Sequence, residues 1–194
     1  MINKQEKLTK VKLKGNESFN IREGWLRKGI RCVQDCPTLF SRDDAMEILG
    51  VGSKMVKSIR YWLRATGLTE ERAPVGRARE QILTEKFGEV VDRYDRYFDD
   101  VFTLFLLHYN IVKNAEGLSV AWDMFFNNYD GQDFTKDNMI EKCKEELNKR
   151  LAEGATFSER LFADDCASIL RMYNTTDFAE DPEESLSCPL IELG

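Results

Sequence analysis

A single histidine, His108, serves the whole of this 194-residue chain, and it lies in the most apolar stretch, where a buried imidazole bonded to a neighbour is the expected state. Acid–base chemistry near neutral pH therefore has little to draw on. No run of about 18 apolar residues is present, which argues against a membrane-spanning helix. The opening MINKQEKLTKVKLKG is basic but has no apolar core of the kind a signal peptide needs, so a cytoplasmic protein is expected. Five scattered cysteines, Cys32, Cys36, Cys143, Cys166 and Cys188, make an odd set with no disulfide framework. Cys32 and Cys36 share a face if helical and would offer two ligands beside His108, but a fourth ligand and the paired short spacings of zinc modules are missing. No metal is expected, and the cysteines read as small apolar fillers. The GVG at 50–52 is too short for a phosphate cradle and lacks a preceding strand and a P-loop lysine. The adjacent pairs Asp99–Asp100 and Asp164–Asp165 cannot both enter one helix face and read as surface charge. No catalytic constellation and no cofactor site can be assembled, so the chain is expected not to be an enzyme.

What is present is a division of charge. Residues 1–79 carry 17 Lys and Arg against 9 Asp and Glu, a net of +8; residues 80–194 carry 11 against 25, a net of −14. The basic part suits a polyanion and the acidic part does not.

Within the basic part, AMEILGVGSKMVKSI at 45–59 has the spacing of a helix-turn-helix. Ala45, Ile48 and Leu49 form an apolar face, Gly50 permits the positive φ of the turn, and Val51, Val56 and Ile59 return to the same core. Ser53 stands where the second helix needs its N-cap. At 100° per residue, Val56, Ile59 and Leu63 occupy one side while Lys54, Lys57, Ser58, Tyr61 and Arg64 project from the other, with no acid between Ser53 and Gly67. Such a second helix enters a DNA major groove.

Upstream, Ile21, Trp25, Leu26 and Ile30 predict a helix over 19–33, ended by Pro37; Val11 and Leu13 suggest a short edge strand. Ser41 and Asp44 resemble a capping box for the next helix. Downstream, TEERAPVGRAREQILT with a Pro-Val-Gly turn at 74–76 reads either as the wing hairpin of a winged helix-turn-helix or as an unstructured basic loop; in both, Arg72, Arg77 and Arg79 reach phosphates. From Thr84 the pattern is helical: Phe87, Val90, Val91 and Tyr94; then Val101, Leu104, Phe105, His108 and Ile111; then Val120, Trp122, Phe125 and Phe126. Thr135 caps a fourth run, with Phe134 and Met139 as a hydrophobic staple, and Ser158 caps a fifth. The last residues are acidic but finish in PLIEL, a segment that docks on the helices, adds a strand to a partner, or marks where longer relatives continue.

The expected fold class is mainly α, a winged helix-turn-helix domain over residues 11–83 followed by an acidic α-helical domain over 84–176 and a tail over 177–194. Four runs, KGNESFNIREGWLRKGI, ILGVGSKMVKSIRYWLRATGL, DDVFTLFLLHYNIV and the closing CPLIELG, resemble an uncharacterised bacterial family of unknown function. Its genes lie beside a phosphoadenosine-phosphosulfate-reductase-like gene in DNA sulfur-modification and phage-defence clusters, and its members tend to run longer at the C-terminus. The resemblance implies a role in recognising or regulating DNA and transfers no catalytic residue.

Two functional readings follow. In one, Ser53, Lys54, Lys57, Ser58, Tyr61 and Arg64 face double-stranded DNA, the wing arginines Arg72, Arg77 and Arg79 add phosphate contacts, and the acidic part holds a protein partner or a second copy in a homodimer. In the other, the chain is an adaptor whose basic and acidic parts dock two proteins without touching DNA.

Overall fold

The computed structural model describes residues 7–22, 24–75, 78–114, 117–130, 135–173 and 188–193, with the backbone alone at 73–75. Gly24 decides where the first helix begins. Its φ of +79° is left-handed, so the helical spacing that starts at Phe19 becomes a helix only over Trp25–Asp35 (α1). A 3-10 turn at Leu39–Ser41 leads to α2 (Ala45–Leu49) and α3 (Ser53–Ala65), and Gly50 makes the turn between them at φ +60°. Ala45 and Leu49 are buried while Ile48, expected beside them, is exposed; one and a half turns of helix bury only one edge. Ser53 does not cap α3, because Gly52 takes the cap position and Ser53 is already the first helical residue. Nor does Ser41 open a capping box. Its hydroxyl accepts from the Arg79 amide at 3.2 Å and donates to the Arg79 carbonyl at 3.1 Å, satisfying a strand edge instead.

Gly29 explains how α1 and α3 approach so closely. A Cβ there would meet Leu63 Cδ1 at 2.7 Å and Ile59 Cγ2 at 3.1 Å, so the missing side chain is what admits α3. After α3 the chain forms an antiparallel hairpin, β1 (Thr69–Val75) and β2 (Ala78–Leu83), pairing Thr69 with Leu83, Glu71 with Gln81 and Arg72 with Glu80. The hairpin alternative of the two sequence readings is thus the observed one. Val75 still pairs with Ala78, so positions 74 and 75 of the expected turn belong to the strand; Gly76 and Arg77 lie outside the described residues.

The remainder is helical: α4 (Gly88–Tyr94), α5 (Val101–Val112), α6 (Val120–Asn128), α7 (Lys136–Arg150) and α8 (Glu159–Tyr173), then a 3-10 turn at Pro189–Leu193. Thr135 caps α7 by accepting from the Asn138 amide at 3.2 Å, and Ser158 accepts from the Leu161 amide at 3.4 Å. Phe134 of the expected staple lies outside the described residues. On α5 the buried stripe is Leu104, Leu107 and Ile111, whereas Val101 and Phe105, expected inside, are exposed together with Phe102 and Tyr109. Val90 and Tyr94 of α4 and Phe126 of α6 are likewise exposed; α5 is apolar nearly all round, so periodicity does not choose its inner face, and α4, seven residues long, buries only Gly88 and Val91. His108 is half-buried, with Nδ1 2.7 Å from the Tyr173 hydroxyl, and burial lowers its pKa. Leu190 of the closing turn is fully buried, so this end docks on the helices, against α5 and α8.

Val11 and Leu13, expected on a short edge strand, belong to no strand; the arm instead makes an isolated parallel bridge from Leu8 to Leu151. Further on, Lys14, Glu17 and Ser18 all have positive φ, a strained run that contacts elsewhere in the chain hold in place. The Lys14 amide donates to Asp165 at 3.0 Å, its ammonium pairs with Asp164 at 2.9 Å, and Asn16 donates to Ser168 at 3.3 Å. Asp165, expected at the surface, is therefore buried, and burial raises its carboxyl to about 6.

One apolar cluster runs through both the basic and the acidic parts. Trp62 of α3 meets Trp122 of α6 edge-to-face at 5.6 Å, its indole N–H donates to the Phe19 carbonyl at 2.9 Å, and Asn110 of α5 donates to the Thr66 carbonyl at 2.9 Å. The molecule is mainly helical with one small two-stranded sheet among the described residues, and no described helix is long and apolar enough to cross a membrane.

Candidate nucleic-acid interface

The solvent side of α3 is narrower than its sequence suggests. Ser53, Lys54 and Lys57 are exposed, but Ser58 and Tyr61, expected to face outward, are buried. Ser58 donates to the Phe19 carbonyl at 3.4 Å. The Tyr61 ring lies against Gly15, where a Cβ would meet it at 2.4 Å, and its hydroxyl donates to the Leu118 carbonyl at 3.2 Å. Burial pushes its pKa well above the usual value, aided by the nearby Asp165. The reason is that α3 packs on two sides: Val56, Ile59 and Leu63 form one buried row, and Ser58, Tyr61, Trp62 and Ala65 a second toward the N-terminal arm and the later helices. Only a stripe at i, i+4, i+7 and i+11 remains, namely Ser53, Lys57, Arg60 and Arg64, with Lys54 beside its start.

Arg60 is the residue that sequence reasoning overlooked. Its spacing from Lys57 and Arg64 was the available signal, since 57, 60 and 64 share a face. Glu71 of β1 gathers this stripe to the hairpin. Its Oε1 accepts from Arg60 Nε at 2.9 Å and from Arg64 Nη1 at 3.0 Å, and Arg60 Nη2 is also in contact; its Oε2 lies 3.6 Å from Arg79 Nη1. The carboxylate keeps only 14% of its surface, while Arg79 keeps 66%. Gln81 fixes the strand to the helix, donating to Thr69 Oγ1 at 2.6 Å and to the Arg60 carbonyl at 3.4 Å.

Arg60, Arg64 and Arg79 converge on this one carboxylate, and Lys54 and Lys57 stand exposed beside them on the same helix. Lys57 has Glu17 at 3.8 Å, a solvated contact that restrains it little. Of the hairpin arginines, Arg79 joins the α3 stripe. Arg72 is exposed but, one residue from Glu71 on the same strand, projects from the opposite face of the hairpin. Arg77 lies outside the described residues. The arrangement presents a shallow cationic surface made of one helix face and one strand, suited to phosphate oxyanions.

Among the described residues, no three His, Cys, Asp or Glu side chains converge as a metal site. Cys32 and Cys36 sit at the end of α1 and His108 on α5, bonded to Tyr173; all five cysteines are free thiols.

The model of a family described as a protein of unknown function, DUF4007, matches residues 13–194. A magnesium ion-bound crystal structure of SspB is similar to this chain with a TM-score of 0.79 and 30% identity, over 94% of this chain and 55% of that one. A further SspB crystal structure gives 0.77 and 29% with the same coverage. The chain therefore spans about half the length of the SspB chains it matches. No curated protein matches it.

Proposed function

The chain belongs to the DUF4007 family, and on that premise we propose that it is a winged helix-turn-helix DNA-binding protein, a regulator or DNA-reading subunit of a bacterial DNA-modification or phage-defence system. The observation that carries this reading is the stripe Lys54, Lys57, Arg60 and Arg64 on α3, joined through Glu71 to Arg79 on the hairpin. The order of a short helix, a glycine turn, a longer helix and a hairpin supports the winged helix-turn-helix reading, as do the cationic side chains carried by the second helix and the hairpin. The sulfur-modification setting rests on the motif resemblance, and the likeness to SspB agrees with a shared family. The magnesium of that relative finds no converged ligand set among the described residues, and no chemical step is routed through it. On this reading the protein acts by binding.

Binding of a generic duplex, followed by fluorescence anisotropy, should weaken steeply between about 50 and 200 mM salt, as phosphate neutralisation releases counterions. Replacing Lys54 and Lys57 with Ala should lower the salt slope by about 1 for each lysine that neutralises a phosphate. Undetectable duplex binding at about 50 mM salt overturns the reading.

A second reading, an adaptor between proteins, draws on α5, where Val101, Phe102, Phe105 and Tyr109 are exposed along one helix. A contiguous aromatic face of this kind suits a protein contact. In the DNA-binding reading, the same acidic part holds the partner or a second copy.

A further inference from the structure

A second cationic feature lies away from α3. Arg27, Arg31 and Gln34 stand at i, i+4 and i+7 on the outer face of α1 and line a cleft of about 430 Å³. Its other wall is Asp92 of α4 with Arg96 and Tyr97 just beyond that helix.

Asp92 is the crossbar of this cleft. Its Oδ2 accepts from Gln34 Nε2 at 2.8 Å, its Oδ1 from Arg96 Nε at 3.1 Å, and its backbone carbonyl from the same Nε at 3.2 Å. Arg96 is thus anchored through Nε, and its terminal amino groups make no hydrogen bond among the described residues. Arg27 stacks on Tyr97, with its guanidinium carbon 4.4 Å from the ring centroid, and Tyr97 still exposes 63% of its surface. Arg31 has no ion pair among the described residues. Arg27, Arg31 and Arg96 line the cleft with a single carboxylate, Asp92, whose oxygens are already engaged by Gln34 and Arg96, so cationic groups outnumber acidic ones in its wall.

We propose that this cleft binds a nucleotide, its phosphates on Arg31 and Arg96 and its base stacked on Tyr97. Guanidinium forks match phosphate oxygens, and an anchored fork loses less entropy on binding than a free one. The volume falls in the range of small-molecule sites, about 300–1,000 Å³, and exceeds what a lone oxyanion fills. The exposed Tyr97 ring, already backed by Arg27, offers the planar platform a base requires. A neighbouring cleft of about 520 Å³ shares Gln34 and Asp92 but carries Glu85 and Glu89 in its wall, so the phosphates are confined to the arginine end. The site stands apart from the duplex-binding surface and holds whether or not that reading does.

Calorimetric titration of the full chain with ADP, inorganic pyrophosphate and a 5′-phosphorylated single-stranded trinucleotide tests it. Saturable binding of ADP identifies a free nucleotide as the ligand; binding of the trinucleotide alone identifies the end of a strand. Arg31→Ala, at an exposed position, should weaken either by about 10-fold. Tyr97→Ala should weaken ADP or the trinucleotide but leave pyrophosphate unchanged. The Lys54→Ala, Lys57→Ala double variant should bind ADP or the trinucleotide as the parent does, which separates this site from α3. Absence of binding to both nucleotide probes, or binding indifferent to Arg31 or to Tyr97, overturns the proposal.

Discussion

Asp165 shows how one side chain couples the strained arm to the helices. Its carboxyl is buried, accepts the Lys14 amide, and is raised by desolvation to about 6, with the Asp164 charge adding to the rise and Lys14 opposing it. The folded protein thus holds this proton to a higher pH than the unfolded chain, where an aspartate titrates near 3.9. The stability that protonation contributes is present below about pH 4 and is lost as pH rises to about 6; above that, the ionised form is a standing cost. Asp165→Asn keeps an acceptor for the Lys14 amide without the charge. It should raise Tm at pH 7.5 by roughly 5 °C, an effect on the order of 2 kcal/mol, and the gain should shrink as pH falls through about 6 and vanish near pH 3. Thermal scans of both proteins at pH 7.5 and at about pH 3 check this, and a lower Tm for the variant at pH 7.5 means the charge is needed where it sits.

At the scale of elements, Glu71 does for α3 and the hairpin what Asp165 does for the arm. Arg64 and Glu71 keep only 18% and 14% of their side-chain surface, so Glu71→Gln removes the negative charge from a largely buried ion pair. The variant should lose about 1–3 kcal/mol in urea denaturation; an unchanged midpoint would mean that the cluster does not tether the hairpin. This tether also marks the limit of what the sequence reveals. The turn at Gly50, the existence of α3, the hairpin after it and the Thr135 and Ser158 caps are all local, and local chemistry announces them. The outward face of α3 is not local. Tyr61 and Ser58 occupy positions that one-sided amphipathicity leaves to solvent, yet the arm at Gly15–Phe19 and the carbonyl of Leu118 cover them. Glu71, which organises the basic stripe, comes from a strand outside the acid-free window 53–67, and the Arg27–Arg31–Arg96 cleft depends on α1 meeting the segment beyond α4. No periodicity within either segment predicts those encounters.

For the molecule as a whole, the opposed charges of its two parts suggest two units, whereas the packing joins them. Trp62 is completely buried between the Phe19 carbonyl and Trp122, so the helix that carries the basic stripe is supported by a helix of the acidic part. Two independent domains would each bury their own tryptophans and unfold separately. A shared core instead links them, because exposing Trp122 removes the wall against which Trp62 packs, and truncating such a residue costs about 3–5 kcal/mol. Guanidinium unfolding should therefore be a single transition, with tryptophan fluorescence and far-ultraviolet circular dichroism giving the same midpoint. Trp122→Phe should lower that midpoint for both signals together. If the variant instead shifts one signal and spares the other, the two parts fold independently, and the basic surface does not depend on the acidic helices for its shape.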